Sequence, residues 1–211
     1  MIVGTVGPGG EILVVGAVRG LVGEISPLIE RLEQFRPASV GLGISPDELA
    51  GLVEHFVDRP AEPLVSLTGT ETAEVRGLAE YGEVRVPNPV TVGTVTWAQR
   101  HGIPVAGLDP SDADYADLFA EHISYLELVR RTLRERRLTG DPPRPKTADE
   151  FALAWHSAIG HGRRSQAFDR ARDAELARGA RALVTTARRV ALVVDRERYD
   201  GVASALSAPS A

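Results

Sequence analysis

The sequence predicts an α/β domain, with a mainly parallel sheet that starts with an N-terminal β-hairpin and is flanked by helices. Short apolar runs alternate with amphipathic helical segments, which is typical of parallel strands joined by helical crossovers. Hydrophobic residues make up 43% and charged residues 25% of the 211-residue chain, and these proportions suit one folded domain. We expect this domain to span residues 1–206, followed by a disordered tail of small residues at 207–211.

The first half of the chain contains the hairpin and two units of strand and helix. Two apolar runs flank the turn sequence Gly-Pro-Gly-Gly at 7–10, which predicts the hairpin. Ser-Pro pairs at 26–27 and 45–46 each combine an N-cap residue with a proline at the first helical position, so we expect a helix to begin at each. Between these helices, the glycine-containing apolar run 40–44 predicts a buried strand.

The second half is predicted to be mostly helical. Prolines interrupt a loop at 57–70, and weak helical character at 71–81 is broken by a glycine. The remaining predicted elements are a helix over 90–100, a strand over 103–108, a long helix over 114–138, helices over 147–159 and 165–187, a strand over 190–194 and a short helix ending near 206. We expect residues 114–187 to form a helical insertion, or lid, before the last strand.

Composition and charge argue against several classes of function. The chain has no cysteine, so disulfides and thiolate metal sites are excluded. No basic leader and no apolar run long enough for a bilayer are found, so we expect a cytoplasmic protein without a membrane partner. A net charge of -5 argues against nucleic acid, and the arginines at 130–137 are interpreted as complementing a helix C-terminus. An exposed apolar stripe on the helix at 114–138 would favour a scaffold or a homo-oligomer.

The order of several motifs resembles the TraB/PrgY family, which is related to Tiki metalloproteases and to the erythromycin-esterase group. The family has a strand leading to Gly-x-x-His, a helix, a strand ending in a glutamate, a later strand ending in Asp, an Arg-Asp pair on a long helix, and a second Gly-x-x-His after the last strand. Matching stretches of this chain are 12–19, 25–35, 36–44, 102–109, 172–173 and 190–201. The resemblance covers residues 1–56 and 90–206 and implies an α/β fold with a site for metal-dependent hydrolysis.

At the metal-site positions this chain departs from the family pattern. The two histidines of the family are replaced by Arg19 and Arg198, and its glutamate is replaced by Gly43. The glycine of the second motif is replaced by Asp195. Guanidinium is always charged and has no lone pair to give a metal, so we expect no metal, no cofactor and none of the family's metal chemistry. The positions that keep the family's residue types are Gly16, Asp109, Arg172 and Asp173.

Under this alignment, Arg19, Arg172 and Arg198 face one cleft at the carboxyl ends of the strands. Such a group needs counter-charges, either from Asp109, Asp173 and Asp195 or from an anionic ligand, so internal ion pairs and an anion site both remain open. The first hypothesis is a non-catalytic protein that binds a small anion or carboxylate. The alternative is a hydrolase that uses Asp109, Asp173 and Glu197, with or without a metal. The predicted ligand-binding set is Arg19, Arg172, Arg198, Asp109, Asp173, Gly16 and Gly43.

The five histidines are not predicted to form a site. His156 and His161 are five positions apart, which is poor spacing for metal ligands, and the other three are isolated along the chain. We therefore expect all five to lie at the surface or at helix ends.

Overall fold

A computed structural model describes residues 1–7, 11–57 and 67–208. Its centre is a five-stranded sheet in the order β1-β2-β5-β3-β4. The strands are β1 (Ile2–Val6), β2 (Ile12–Ala17), β3 (Ser39–Leu42), β4 (Val105–Gly107) and β5 (Val190–Asp195). β1 and β2 are antiparallel, whereas β2, β5, β3 and β4 are parallel. The predicted α/β class, with a mainly parallel sheet and an initial hairpin, is confirmed.

Helices cover both faces of the sheet. Within the described part of the chain they are α1 (Ile25–Phe35), α2 (Pro46–Leu52), α3 (Gly69–Leu78), α4 (Pro89–Arg100), α5 (Asp112–His122), α6 (Tyr125–Gly140), α7 (Ala148–Ile159), α8 (Arg163–Ala187) and α9 (Tyr199–Ser207). Short 3-10 turns precede α1 and α9. None of the helices that the structure describes is long and apolar enough to cross a membrane.

The side chains of β2 and β5 point alternately to the two faces of the sheet, so the apolar core is divided between these faces. On one face, β2 residues such as Leu13 and Val15 pack with Leu28 and Leu32 of α1 and with residues of α4. On the other face, Val14 and its neighbours pack against α8 and α9. Because side chains of a strand point alternately to opposite faces, a strand covered on both sides carries apolar residues on both, as β5 does from Val190 to Val194. Burial of each large apolar side chain contributes roughly 2 kcal/mol.

A third apolar cluster lies beyond the carboxyl end of β2. It joins Val18 and Leu21 to Phe151 and Trp155 of α7, and to residues of α3 and α6. The rings of Phe151 and Trp155 stack with their centroids 5.7 Å apart. This cluster fixes α3, α6 and α7 beside the strand ends, where the predicted cleft lies.

Two predicted boundaries are wrong. The long helix at 114–138 is two helices, because Ile123 is extended and the Ser124 hydroxyl accepts a hydrogen bond from the Glu127 amide to begin α6. The first helix begins at Ile25 rather than after Ser26, because a 3-10 turn leads directly into it. Ser45 caps α2 as predicted, by accepting from the Glu48 amide at 3.0 Å.

Two predicted strands are shorter in the structure, and the loop predicted at 57–70 ends earlier, because Gly69 and Thr70 already belong to α3. Three predicted segments lie partly outside the described residues. The strands at 40–44 and 103–108 are reduced to Ser39–Leu42 and Val105–Gly107. The turn residues 8–10, the loop residues 58–66 and the tail residues 209–211 lie outside the described part. Residue 207, the first of the predicted tail, belongs to α9.

Candidate functional site

A cavity of about 220 Å³ lies at the carboxyl ends of β2 and β5. Arg19 follows β2, while Asp195, Glu197 and Arg198 come from the end of β5 and the turn after it. The other lining residues come from α5, α6, α7 and α8 and from the segments that join these helices. Residues far apart in the sequence therefore meet where a parallel sheet commonly places a ligand.

Arg172 reaches the cavity from α8 and is held by Asp109, which follows β4. Its guanidinium donates two hydrogen bonds to the Asp109 carboxylate, one of them from Nε to Oδ1 at 3.3 Å. The same group lies over the Tyr115 ring at 5.1 Å and over the Phe168 ring at 5.6 Å. Cation–π contacts and a two-point pairing together fix the guanidinium plane at the cavity wall.

Arg198 is the most deeply buried of the three predicted arginines. Its side chain is 8% exposed, and Nε donates to Asp173 Oδ1 at 2.8 Å. Nη1 lies 3.6 Å from Asp109 Oδ1, so Arg172 and Arg198 share one carboxylate. Nη2 is buried without a hydrogen-bond partner among the described residues. Burial alone would lower the Arg198 pKa, but Asp173 and Asp109 raise it above its usual value.

Arg19 differs from the other two arginines because it has no direct counter-charge. Its side chain is exposed, and within the described ranges no carboxylate forms an ion pair or hydrogen bond with it. The nearby Asp195 carboxylate nevertheless raises the pKa of Arg19. Arg19 also lines a second cavity of about 190 Å³, together with Glu48, Glu74 and Arg85. One guanidinium thus lies between two cavities.

Carboxyl groups in the first cavity and directly behind it have raised pKa values because they are buried. Burial, and then the Asp195 carboxylate, raises the pKa of Glu197 to about 7. Burial raises the Asp195 pKa although Arg19, Arg198 and Arg172 oppose the shift. The pKa of Asp173 is raised for the same reason, against the effect of Arg198. At these groups burial therefore outweighs the arginines and favours the neutral form of each carboxyl group.

His156 and Arg131 were not among the predicted site residues, yet both line the cavity. His156 Nε2 lies 3.3 Å from Asp169 Oδ2, and this hydrogen bond raises the His156 pKa above its usual value. Arg131 donates from Nε to Glu135 at 3.0 Å. His156 and Ile159 are three positions apart, so they lie on one face of α7, and both line the cavity. This spacing is present in the sequence, but the poor spacing of His156 and His161 for a metal argued against any site at His156.

The structure places the predicted site residues in three groups. Arg19, Arg172 and Arg198 line the cavity, and so does Glu197, the third residue of the alternative catalytic set. Asp109 and Asp173 lie behind the arginines, as their counter-charges.

The two predicted glycines lie elsewhere. Gly16 is buried within β2, where an added Cβ would come within 2.7 Å of Tyr199 Cβ and 2.9 Å of Ile2 Cγ2. Gly43 lines a separate space of about 10 Å³, and an added Cβ would come within 3.1 Å of a Val194 methyl carbon. Both glycines allow close packing beside the strands rather than forming the wall of the arginine-lined cavity.

No protein-family model matches this chain, and no curated protein matches it significantly. Over residues 1–7, 11–57 and 67–208, no three His, Asp or Glu side chains are grouped so that they could hold a metal ion.

Proposed function

We propose that the protein is a non-catalytic, TraB-like binding protein whose arginine-lined cavity takes up a small anion with carboxylate-like, phosphate-like or sulfate-like oxygens. The proposed place of action is the cytoplasm. The resemblance to the TraB/PrgY family supports the absence of metal chemistry, because arginine occupies both histidine positions of the motifs and cannot act as a metal ligand.

The observation that carries this proposal is the meeting of Arg19, Arg172 and Arg198 at one cavity. Arg172 and Arg198 are matched by the carboxylates of Asp109 and Asp173. Arg19 remains as a donor without a hydrogen-bonded partner in the described part of the chain, and Arg198 Nη2 is a second such donor. Charged donors without partners at a polar cavity are suited to the oxygens of an anion.

The neighbouring acids make this binding depend on pH. Glu197 has a pKa of about 7, so its carboxyl group is mostly neutral at pH 6 and mostly negative at pH 8. A negative Glu197 beside the cavity repels an anion. We therefore expect an anion of constant charge, such as sulfate, to bind more tightly at pH 6 than at pH 8.

The proposal is tested by thermal shift and calorimetric titration with sodium sulfate and sodium malonate, at constant ionic strength set with sodium chloride. An anion present at about 100 times its Kd stabilises the fold by about 2.7 kcal/mol, which is a measurable shift in Tm. Arg19→Ala should abolish the shift without unfolding the protein, because Arg19 is exposed and forms no ion pair with the described residues.

Arg100→Ala is the matched control, since Arg100 is another exposed arginine, at the end of α4 and outside the cavity lining. Equal shifts in the wild type, Arg19→Ala and Arg100→Ala would reject the cavity as the binding site. The absence of any anion-specific shift in the wild type would reject the proposed function.

One observation favours the alternative, a hydrolase with relocated acidic residues. A carboxyl group with a pKa near neutrality, such as Glu197, is suited to general acid–base catalysis. Asp109 and Asp173 are less suited to catalysis, because each carboxylate accepts a hydrogen bond from an arginine. Turnover of p-nitrophenyl esters that Glu197→Gln lowers at least about a hundredfold would favour the hydrolase.

A rise in Tm with micromolar manganese, cobalt or zinc would contradict the argument against metal ligands.

A further inference from the structure

Helix α6 has an unusual apolar surface. In the described part of the chain, the large hydrophobic side chains that are exposed all lie on this helix. They are Tyr125 (81% exposed), Leu126 (57%), Leu128 (42%), Val129 (39%) and Leu133 (59%). Single exposed hydrophobic residues are ordinary, but a contiguous group of five marks an interaction surface.

These side chains form one stripe. At about 100° per residue, Tyr125, Leu126, Val129 and Leu133 fall within roughly a third of the helix circumference. Leu128 borders this stripe, whereas Glu127 and Leu138 on the opposite face are buried against the protein. The helix therefore packs on its own domain by one face and presents an apolar stripe with the other.

Opposite charges flank the stripe. The preceding helix, α5, exposes Asp112, Asp114, Asp117 and Glu121, and the second half of α6 exposes Arg136 and Arg137. Only two residues separate α5 from α6, and the two helices pack on different elements, α5 on α8 and α6 on α3 and α7. The connection of α5 to α6 thus places the acidic carboxyl-terminal part of α5 next to the amino-terminal end of the stripe, while Arg136 and Arg137 lie beyond its carboxyl-terminal end.

We infer that this surface binds a second copy of the same chain in an antiparallel, two-fold symmetric dimer. In such a dimer each surface patch meets its own copy in reverse, so the patch must be complementary to itself. Reversal places the basic end of one α6 beside the acidic α5 of the partner subunit and lays the apolar stripes against each other near Val129. Both requirements for self-pairing, an apolar stripe and opposite charges beyond its two ends, are met by residues of one chain, so a second copy supplies the complement that this surface needs.

The dimer would also act on the cavity. Tyr115 of α5, Ile123 between the helices and Arg131 of α6 line it. Pairing through α5 and α6 therefore fixes the part of the cavity wall that these helices supply. The inference does not rest on anion binding, because association is measured without any ligand.

The first test is the mass of the full chain in solution, measured by sedimentation velocity between 1 and 50 μM, a range of about fiftyfold in concentration. We expect a dimer. Val129→Asp and Leu133→Asp should each weaken association roughly tenfold or more, because a desolvated charge would lie in the apolar stripe. Glu33→Gln, an exposed change on α1, is the matched control and should leave the dimer intact. A monomeric wild type at 50 μM (about 1 mg/ml) would overturn the inference, as would dimerisation unaffected by both aspartates.

A charge exchange gives a second test that needs no change in the apolar stripe. Arg136→Glu with Arg137→Glu places acid against acid in a homodimer, and Asp117→Arg with Glu121→Arg places base against base. Each double variant alone should be more monomeric than the wild type. A mixture of the two should regain the dimer, because each then meets the opposite charge. Failure of the mixture to associate, while each variant is folded by circular dichroism, would overturn the proposed antiparallel arrangement.

Discussion

Asp109 is the residue that organises the charges behind the cavity. It accepts hydrogen bonds from Arg172, and its Oδ1 lies 3.6 Å from Arg198 Nη1, so one carboxylate serves two arginines. Asp173 supplies the second negative charge at 2.8 Å from Arg198. A buried arginine that loses one of these partners is left uncompensated, which typically costs about 3–5 kcal/mol. This pairing is why Arg19, and not Arg198, is the informative position at which to test binding.

Glu197 is expected to make the stability of the protein depend on pH. Its pKa of about 7 in the folded state lies above its unfolded value of 4.5, so the folded state binds the proton more tightly. Stability from this group is present below pH 4.5 and is lost as the pH rises through about 7. Glu197→Gln should therefore raise the free energy of unfolding by roughly 3 kcal/mol at pH 8.5, and by less than about 1 kcal/mol at pH 5.

Urea denaturation of the wild type and Glu197→Gln at the two pH values measures this difference. Glu33→Gln serves as the control at an exposed glutamate. His156 contributes in the same direction, because its pKa is also raised in the folded state, so the wild type should lose further stability as the pH rises above 6.5, the usual pKa of histidine. Equal stability of Glu197→Gln and the wild type at pH 8.5 would contradict the raised pKa.

At the scale of elements, two helix starts that the sequence predicts correctly have a side-chain N-cap. The sequence predicts the start of α2 at Ser45 and of α7 at Thr147, and in both the hydroxyl accepts from the amide three residues on. The break between α5 and α6 has the same signal in Ser124 and Glu127. It was missed because apolar residues continue across it with helical spacing. Ile123, one of these residues, is buried in an extended conformation instead.

Two glycines in helices allow a matched prediction about helix packing. An alanine at Gly77 of α3 would put its Cβ 2.5 Å from the Phe151 ring of α7, whereas an added Cβ at Gly51 of α2 has no atom of the described residues within 4 Å. Alanine favours a helix over glycine by up to about 1 kcal/mol, but overpacking costs about 1–3 kcal/mol. Gly51→Ala should raise Tm and Gly77→Ala should lower it, as measured by differential scanning calorimetry. A rise in Tm for both would mean that α3 and α7 are less closely packed than described.

For the molecule as a whole, the order of elements was predictable from the sequence, whereas their neighbours in space were not. Periodicity finds β5 as an apolar strand but does not say that it lies between β2 and β3. The cavity depends on that placement, because it brings Arg19 and Arg198 to one edge of the sheet. The resemblance supplied Arg19 and Arg198 by their positions after strands, and Arg172 by the Arg-Asp pair on a long helix. It could not supply His156, Asp169 or Arg131, which reach the cavity through the packing of α6, α7 and α8.

Burial predicts that stability is unequal across the molecule. All six residues of β2 are buried, whereas α5 has no buried residue and packs on α8. Local opening should therefore cost much less in α5, and its amides should exchange with deuterium roughly a hundred times faster than those of β2. Hydrogen exchange with mass spectrometry, on Leu133→Asp as well as the wild type, separates this effect from protection by self-association. Equal protection of α5 and β2 in Leu133→Asp would contradict the prediction.

The central position of β5 has a consequence for biosynthesis. A ribosome makes β2, β3 and β4 long before it makes β5, the strand that pairs with both β2 and β3. Until residues 190–195 leave the exit tunnel, the nascent polypeptide holds two apolar strand edges that have no native neighbour between them. The sheet must therefore close after nearly all of the described chain has been translated, and the emerging intermediate is the form most in need of chaperone protection.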